Sequence, residues 1–247
     1  MVRSSTTDLP PGRCACTTAS ASTRPVLTKY SPDALAVSCR SSGPPGLTDA
    51  LAAAALARAA GVGPEHVAAG LTAFRPGPHR ADLVGTVAGV RYVDDSKATN
   101  PHAAAASLAA QAPAPVVWIA GGLLKGASVD ELVARHGAGL RAAVVIGTDR
   151  RAIVAALARH APNVPVAEVG PGDDGPMLPA RTADPASTGG PADGGAGPMD
   201  RAVRRAAALA RPGDVVLLAP AAASMDQFRD YADRGRAFAA AVAGLGS

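Results

Sequence analysis

Aromatic side chains are scarce in this sequence. Phe74, Phe228, Phe238, Tyr30, Tyr92, Tyr231 and Trp118 are all that occur among 247 residues. A nucleic-acid-binding face needs cations interleaved with such rings, and the charge is not arranged to make one. The net charge is +4, but residues 1–46 carry Arg3, Arg13, Arg24, Lys29 and Arg40 against only Asp8 and Asp33. That segment holds +3 of the total and the rest of the chain about +1, so no nucleic-acid partner is expected. Cysteine is almost missing too. Cys14, Cys16 and Cys39 all lie in the same segment, and their C-x-C spacing has no following Cys or His pair as a zinc site would require. No metal site is expected on this chain, and nothing calls for an oxidising compartment. Residues 1–25 lack the apolar core of a secretion signal. The longest uncharged apolar stretch, Ala103 to Leu124, is interrupted by Gln111, Pro113 and Pro115, which excludes a membrane span. A cytoplasmic monomer without membrane partners is the expectation. Also missing are a Walker A run, G-x-G-x-x-G and C-x-x-C, so the chain has no phosphate-cradling loop of a familiar kind.

What is present is alanine, 59 residues of it, with 27 Gly and 22 Pro. Glycine has no three-residue period, which rules out collagen, and long apolar-periodic stretches from Ala50 onward rule out wholesale disorder. The chain divides by composition. Residues 1–46 hold 14 Ser and Thr and no Glu and cannot bury enough surface to offset ordering entropy. They are expected to be disordered and foreign to the domain that begins near Leu47. Residues 47–76 read as two short helices: Thr48 or Asp49 caps one that Gly61 ends, and Pro64-Glu65 opens the next. The rigid run Arg75-Pro-Gly-Pro78 suits a boundary.

Residues 77–247 alternate between strand and helix. Strands are expected at Ala81–Val87, Val90–Asp94, Val116–Ala120, Ala142–Ile146, Val164–Val169 and Asp214–Ala219. Helices are expected at Pro101–Ala110 behind an Asn100 cap, at Val129–Arg135 behind Ser128, and at Asp149–His160, Asp200–Ala210 and Asp226–Ala243. Such alternation argues an α/β, Rossmann-like, mostly parallel doubly wound sheet flanked by helices. Residues 170–199, with 8 Gly and 6 Pro, read as a flexible insertion.

In such sheets ligands bind beyond the carboxyl ends of the strands. Three polar runs fall there: Asp94-Asp-Ser-Lys-Ala-Thr-Asn100, Gly121-Gly-Leu-Leu-Lys-Gly126 and Pro220-Ala-Ala-Ala-Ser-Met-Asp-Gln-Phe228. Together they offer lysines, hydroxyls and a helix start, a set suited to an anion. Each also has a plainer reading. Asp94 and Asp95 could be turn residues, Lys125 a solvated cation, Ser224 the cap of the last helix, and His79-Arg80 a surface pair. His102, His136 and His160 have no paired ligand spacing.

Taken together, His79-Arg80, Tyr92-Val-Asp-Asp-Ser-Lys-Ala-Thr-Asn100, Gly121-Gly-Leu-Leu-Lys125 and Leu218-Ala-Pro-Ala-Ala-Ala-Ser-Met-Asp-Gln-Phe228 resemble the C-terminal domain of the D-glutamate-adding Mur ligases of peptidoglycan synthesis. The D-S-K-A-T-N run is the discriminating part; Ala222 stands where that family often has Cys. The resemblance implies an ATP-dependent ligase that joins D-glutamate to UDP-N-acetylmuramoyl-L-alanine through an acyl phosphate. It implies that Arg80, Asp95 and Lys97 contact ATP, with Lys97 the catalytic cation, and that Thr99, Lys125, Ser224 and the Phe228 backbone hold D-glutamate. It also implies that residues 47–76 are the last helices of a central domain, which would carry the P-loop and the Mg2+ ligands elsewhere, and that residues 77–247 are the C-terminal domain. A truncated or frameshifted product, inactive alone, is the expectation. A non-catalytic nucleotide- or glutamate-binding remnant is the competing reading, and a folylpolyglutamate-type ligase is disfavoured by D-S-K-A-T-N.

Overall fold

The computed structural model describes residue 46, residues 48–170, residues 178–179 and residues 197–246. Most of residues 1–46 and of 170–199, where disorder and a flexible insertion are expected, lies outside the described residues. The chain forms two compact units that meet in sequence between Phe74 and Arg75.

The first unit is a helical pair. Helix α1 spans residues 48–59 and α2 spans Pro64–Ala73. Gly61 takes φ +86° between them, where a side chain would be strained. Ala50, Ala54, Val67 and Leu71 are its buried residues.

The second unit is a seven-stranded sheet. Its elements in chain order are β1 (Asp82–Val87), β2 (Val90–Asp94), α3 (Pro101–Ala109), β3 (Val116–Gly121), α4 (Asp130–His136), β4 (Leu140–Ile146), α5 (Arg150–His160), β5 (Pro165–Glu168), β6 (Leu178–Pro179), α6 (Pro198–Leu209), β7 (Val215–Leu218) and α7 (Tyr231–Ala243). The strand order is β1-β2-β7-β3-β4-β5-β6. The five central strands, β2, β7, β3, β4 and β5, run parallel, and β1 and β6 add antiparallel edges. The doubly wound α/β fold expected from the sequence is therefore present.

Side chains alternate across the sheet because the strand period is two. Val116, Trp118 and Ala120 face the layer of α3, α4 and α5, where Leu108, Val133, Ile153 and Leu157 complete the core. Val117 and Ile119 face α6 and α7, where Met199, Val203, Phe238 and Val242 close the other side. Both faces are covered, so β3 is buried throughout, as a central parallel strand should be. Trp118, the largest of these side chains, donates its indole N–H to the Ala219 carbonyl at 2.7 Å. A buried indole without that acceptor would forfeit a hydrogen bond.

Several helix starts differ from expectation, each for a local reason. The closing helix begins at Tyr231 rather than Asp226, because Asp230 is its cap and accepts from the Asp233 N–H at 2.7 Å. Ser224 is therefore not that cap. Asp149 sits at the start of α5, but its carboxylate reaches back to the Leu124 N–H at 2.7 Å instead of capping. Helix α4 starts one residue late, with Ser128 Oγ accepting from the Asp130 N–H. Asn100 caps α3 as expected, accepting from the Ala103 N–H.

Candidate functional site

The parallel strands put the carboxyl ends of β2, β7, β3 and β4 on one edge. Asp94 pairs with Leu218, Leu218 with Ile119, and Gly121 with Ile146. The three polar runs leave from there and are laced together by backbone hydrogen bonds. The Ala221 N–H donates to the Ala98 carbonyl, the Gly121 N–H to Pro220, and Leu123 and Ala223 bond each other in both directions. The runs therefore form one continuous rim.

Backbone strain concentrates at the same edge. Among the described residues five non-glycine residues have positive φ, and four are here: His79 (63°), Ala81 (53°), Lys125 (55°) and Ala221 (59°). Each left-handed residue costs roughly 1–2 kcal/mol, and such strain gathers where surrounding structure fixes a functional geometry. Gly121 and Gly122 take φ of 125° and 134°. A Cβ on Gly121 would strike the Ile146 carbonyl, and one on Gly122 the Ala223 carbonyl, so the rim closes only with glycine at both places.

The structure sorts the candidate residues by what they touch. Lys97 holds its ammonium 3.8 Å from the centre of the Tyr231 ring, a cation–π contact. Asp95 donates its backbone N–H to Leu218. Burial pushes its carboxyl above the ordinary value, while Ser107, the Ala81 backbone and Arg80 pull the other way. Arg80 and Lys125 are exposed, and the chain's other two lysines are Lys29 and Lys97. Thr99 is half-buried beside Lys97, and Ser224 is buried. The Phe228 N–H donates to the Ser224 carbonyl at 2.9 Å, and the Phe228 side chain packs on the α6–α7 face of the core. Arg80, Asp95, Lys97, Thr99, Lys125 and Ser224 thus share one edge, while the Phe228 amide is committed to the chain's own turn.

Sequence reasoning missed the groups that hold this edge. His79 is not a surface residue: its Nδ1 lies 2.7 Å from the Asp94 carboxylate, which is almost fully buried and also accepts from the Ser96 N–H. Asp226 accepts from the Thr148 N–H and Asp149 from Leu124, tying the β4 end to the rim. Arg234 is 1% exposed. A sequence signal existed for it, since Arg234 stands on the stripe of Phe238, Ala241 and Val242 in α7, the helical period of a buried face.

With this edge in view, the class is defined. The sequence model of the family described as "Mur ligase, glutamate ligase domain" matches residues 79–222, and the chain belongs to that family. Its relatives are consistent in kind. The chain is 56% identical over 206 residues to the UDP-N-acetylmuramoylalanine–D-glutamate ligase of Mycobacterium avium, covering 81% of this chain and 41% of the relative. It is 57% identical over 203 residues to that of Nocardia farcinica, covering 82% and 40%. The chain thus spans about two fifths of the length of the curated relatives it matches. Among solved structures, a murein peptide ligase from Psychrobacter arcticus 273-4 aligns with a TM-score of 0.48 and 16% identity, over 81% of this chain and 37% of that one. No helix among the described residues is long and apolar enough to cross a membrane.

Proposed function

We propose that this chain carries the D-glutamate-receiving domain of a ligase that joins D-glutamate to UDP-N-acetylmuramoyl-L-alanine at the expense of ATP. The observation that carries the reading is the meeting, on one strand-end edge, of the D-S-K-A-T-N, G-G-L-L-K and S-M-D-Q-F runs. Lys97 neutralises charge on the transferring phosphoryl oxygens, with Arg80 beside it and Asp95 on the nucleotide side. Lys125 and the hydroxyls of Thr99 and Ser224 hold the carboxylates of D-glutamate. The γ-phosphoryl group of ATP passes to the alanyl carboxylate, giving an acyl phosphate and ADP. The amine of D-glutamate then attacks the acyl carbon, the C–N bond forms, and inorganic phosphate and a proton leave. The helical pair α1–α2 is the end of the ATP-binding central domain, to which the Mg2+ ligands belong. Among the described residues no His, Cys, Asp and Glu group could hold a metal, and no step on this chain is assigned to one.

Titration of the 247-residue chain with D-glutamate by calorimetry and NMR tests the reading. Saturable binding is expected, with shift changes confined to residues 95–99, 121–126 and 220–228 and weaker binding of L-glutamate. Equal binding of the two enantiomers, or perturbations elsewhere in the sheet, defeats it.

A further inference from the structure

Arg234 is placed where a cation gains least. It lies in the first turn of α7, the positive end of a helix dipole, and is buried between that helix and the strand ends. Burial holds its guanidinium below the ordinary value, at about 10, with Asp226 and Asp94 opposing. A buried charge without a bonded counter-ion is costly. Yet all four of its hydrogen bonds go to uncharged oxygens. Nε donates to Ser96 Oγ at 3.0 Å, Nη2 to the Ser96 carbonyl at 3.0 Å, and Nη1 to the Ala222 carbonyl at 3.1 Å and the Gly121 carbonyl at 3.5 Å. Ser96 Oγ in turn donates to the Tyr231 carbonyl at 2.7 Å.

Those acceptors belong to three different runs, after β2, β3 and β7. Each run also supplies a residue of the proposed amino-acid site: Thr99, Lys125 and Ser224. We infer that Arg234 is a positioning residue, whose planar fork fixes the spacing of the three runs so that donors far apart in sequence converge on one dicarboxylate. The inference rests on the site reading given above. A guanidinium can do this because it presents five donors in fixed directions, whereas an ammonium is a point charge with three movable ones.

The test compares Arg234→Lys with Ser96→Ala and with Arg141→Lys in the full chain. Arg141 pairs with Asp214 next to the amino ends of β4 and β7, away from the rim. Two quantities are read: the Kd for D-glutamate, and ligand-free amide exchange at Gly121, Leu123, Ala221 and Ala223. Arg234→Lys is expected to weaken binding and to quicken exchange by about tenfold, the equivalent of one buried hydrogen bond. Ser96→Ala should shift both in the same direction by about threefold, and Arg141→Lys should lower Tm while leaving both within about twofold. The inference is overturned if Arg234→Lys leaves exchange unchanged, or if Arg141→Lys moves both quantities as far. If Arg234→Lys does not fold, Ser96→Ala decides by the same criteria. If the unaltered chain binds no D-glutamate, the site reading fails, and the exchange rates still decide whether Arg234 holds the runs together.

Discussion

The two edges of the parallel sheet treat charge in opposite ways. At the amino ends, Arg141 donates twice to Asp214, at 2.8 and 3.0 Å. That pairing holds the Asp214 carboxyl below and the Arg141 guanidinium above their ordinary values. At the carboxyl ends the shifts are reversed, with Asp95 raised and Arg234 lowered, both chiefly by burial. The paired charges of Asp214 and Arg141 are favoured by folding, whereas burial disfavours the charged forms of Asp95 and Arg234. Strain leans the same way: four of the five left-handed non-glycine residues among the described residues, His79, Ala81, Lys125 and Ala221, border the carboxyl-end rim, and the fifth, Ala88, lies in the β1–β2 turn at the amino end. One edge is built for stability and the other gives up stability for geometry, the pattern expected where a site needs groups placed rather than satisfied.

The hardest way to break this contrast is Gly122→Ala. A Cβ there meets the Ala223 carbonyl at a φ that L residues rarely adopt, so stability should fall by about 3 kcal/mol or more. Urea denaturation measures it; a midpoint matching the unaltered chain shows that the rim is looser than described. Lys125→Ala comes next. It should leave Tm alone and weaken D-glutamate binding about 10- to 150-fold, the equivalent of a charge-assisted hydrogen bond, with Lys125→Arg recovering only part. Calorimetry with D-glutamate and with ATP separates the two ligands, and a loss confined to ATP would move Lys125 to the nucleotide side.

Smaller effects sharpen the comparison. Asp214→Asn should lower Tm by a few degrees and leave D-glutamate affinity intact. Asp95→Asn should raise Tm at neutral pH, because it removes a charge that burial disfavours. Thermal scans of the two variants should move in opposite directions, and a fall in both erases the distinction between the edges. The smallest effect is acid sensitivity. The Asp130 carboxyl is held at about 2 by Arg159, Ser128 and His160, against an ordinary value of 3.8. Its folded pKa is depressed, so its contribution is present above pH 3.8 and is lost as pH falls towards 2. Asp130→Asn should flatten the stability curve across that window.

How much was legible beforehand differs between elements. Strand β3 announced itself, because a short apolar run between breaks has few other fates in an alternating chain. Asn100 and Pro101 marked the start of α3, since capping is a matter of neighbours in sequence. Asp149 and Asp226 resemble the same capping chemistry but spend their carboxylates on the Leu124 and Thr148 amides, 25 and 78 residues away, which no local pattern encodes. His79 beside Asp94 and Arg234 beneath Ser96, Gly121 and Ala222 were hidden for the same reason.

Local rules thus settled what depends on residues within a turn or two of each other: the order of strands and helices, the caps they share with neighbours, and the three polar runs that carry the family likeness. The tertiary structure settled which groups those runs meet. The strand order places β7 between β2 and β3, so residues near 96, 122 and 222 become neighbours only when the sheet forms. The helix covering one of its faces then delivers Arg234 beneath them. Sequence periodicity can show that a residue faces inward, but the partner waiting there is fixed by packing between elements distant along the chain.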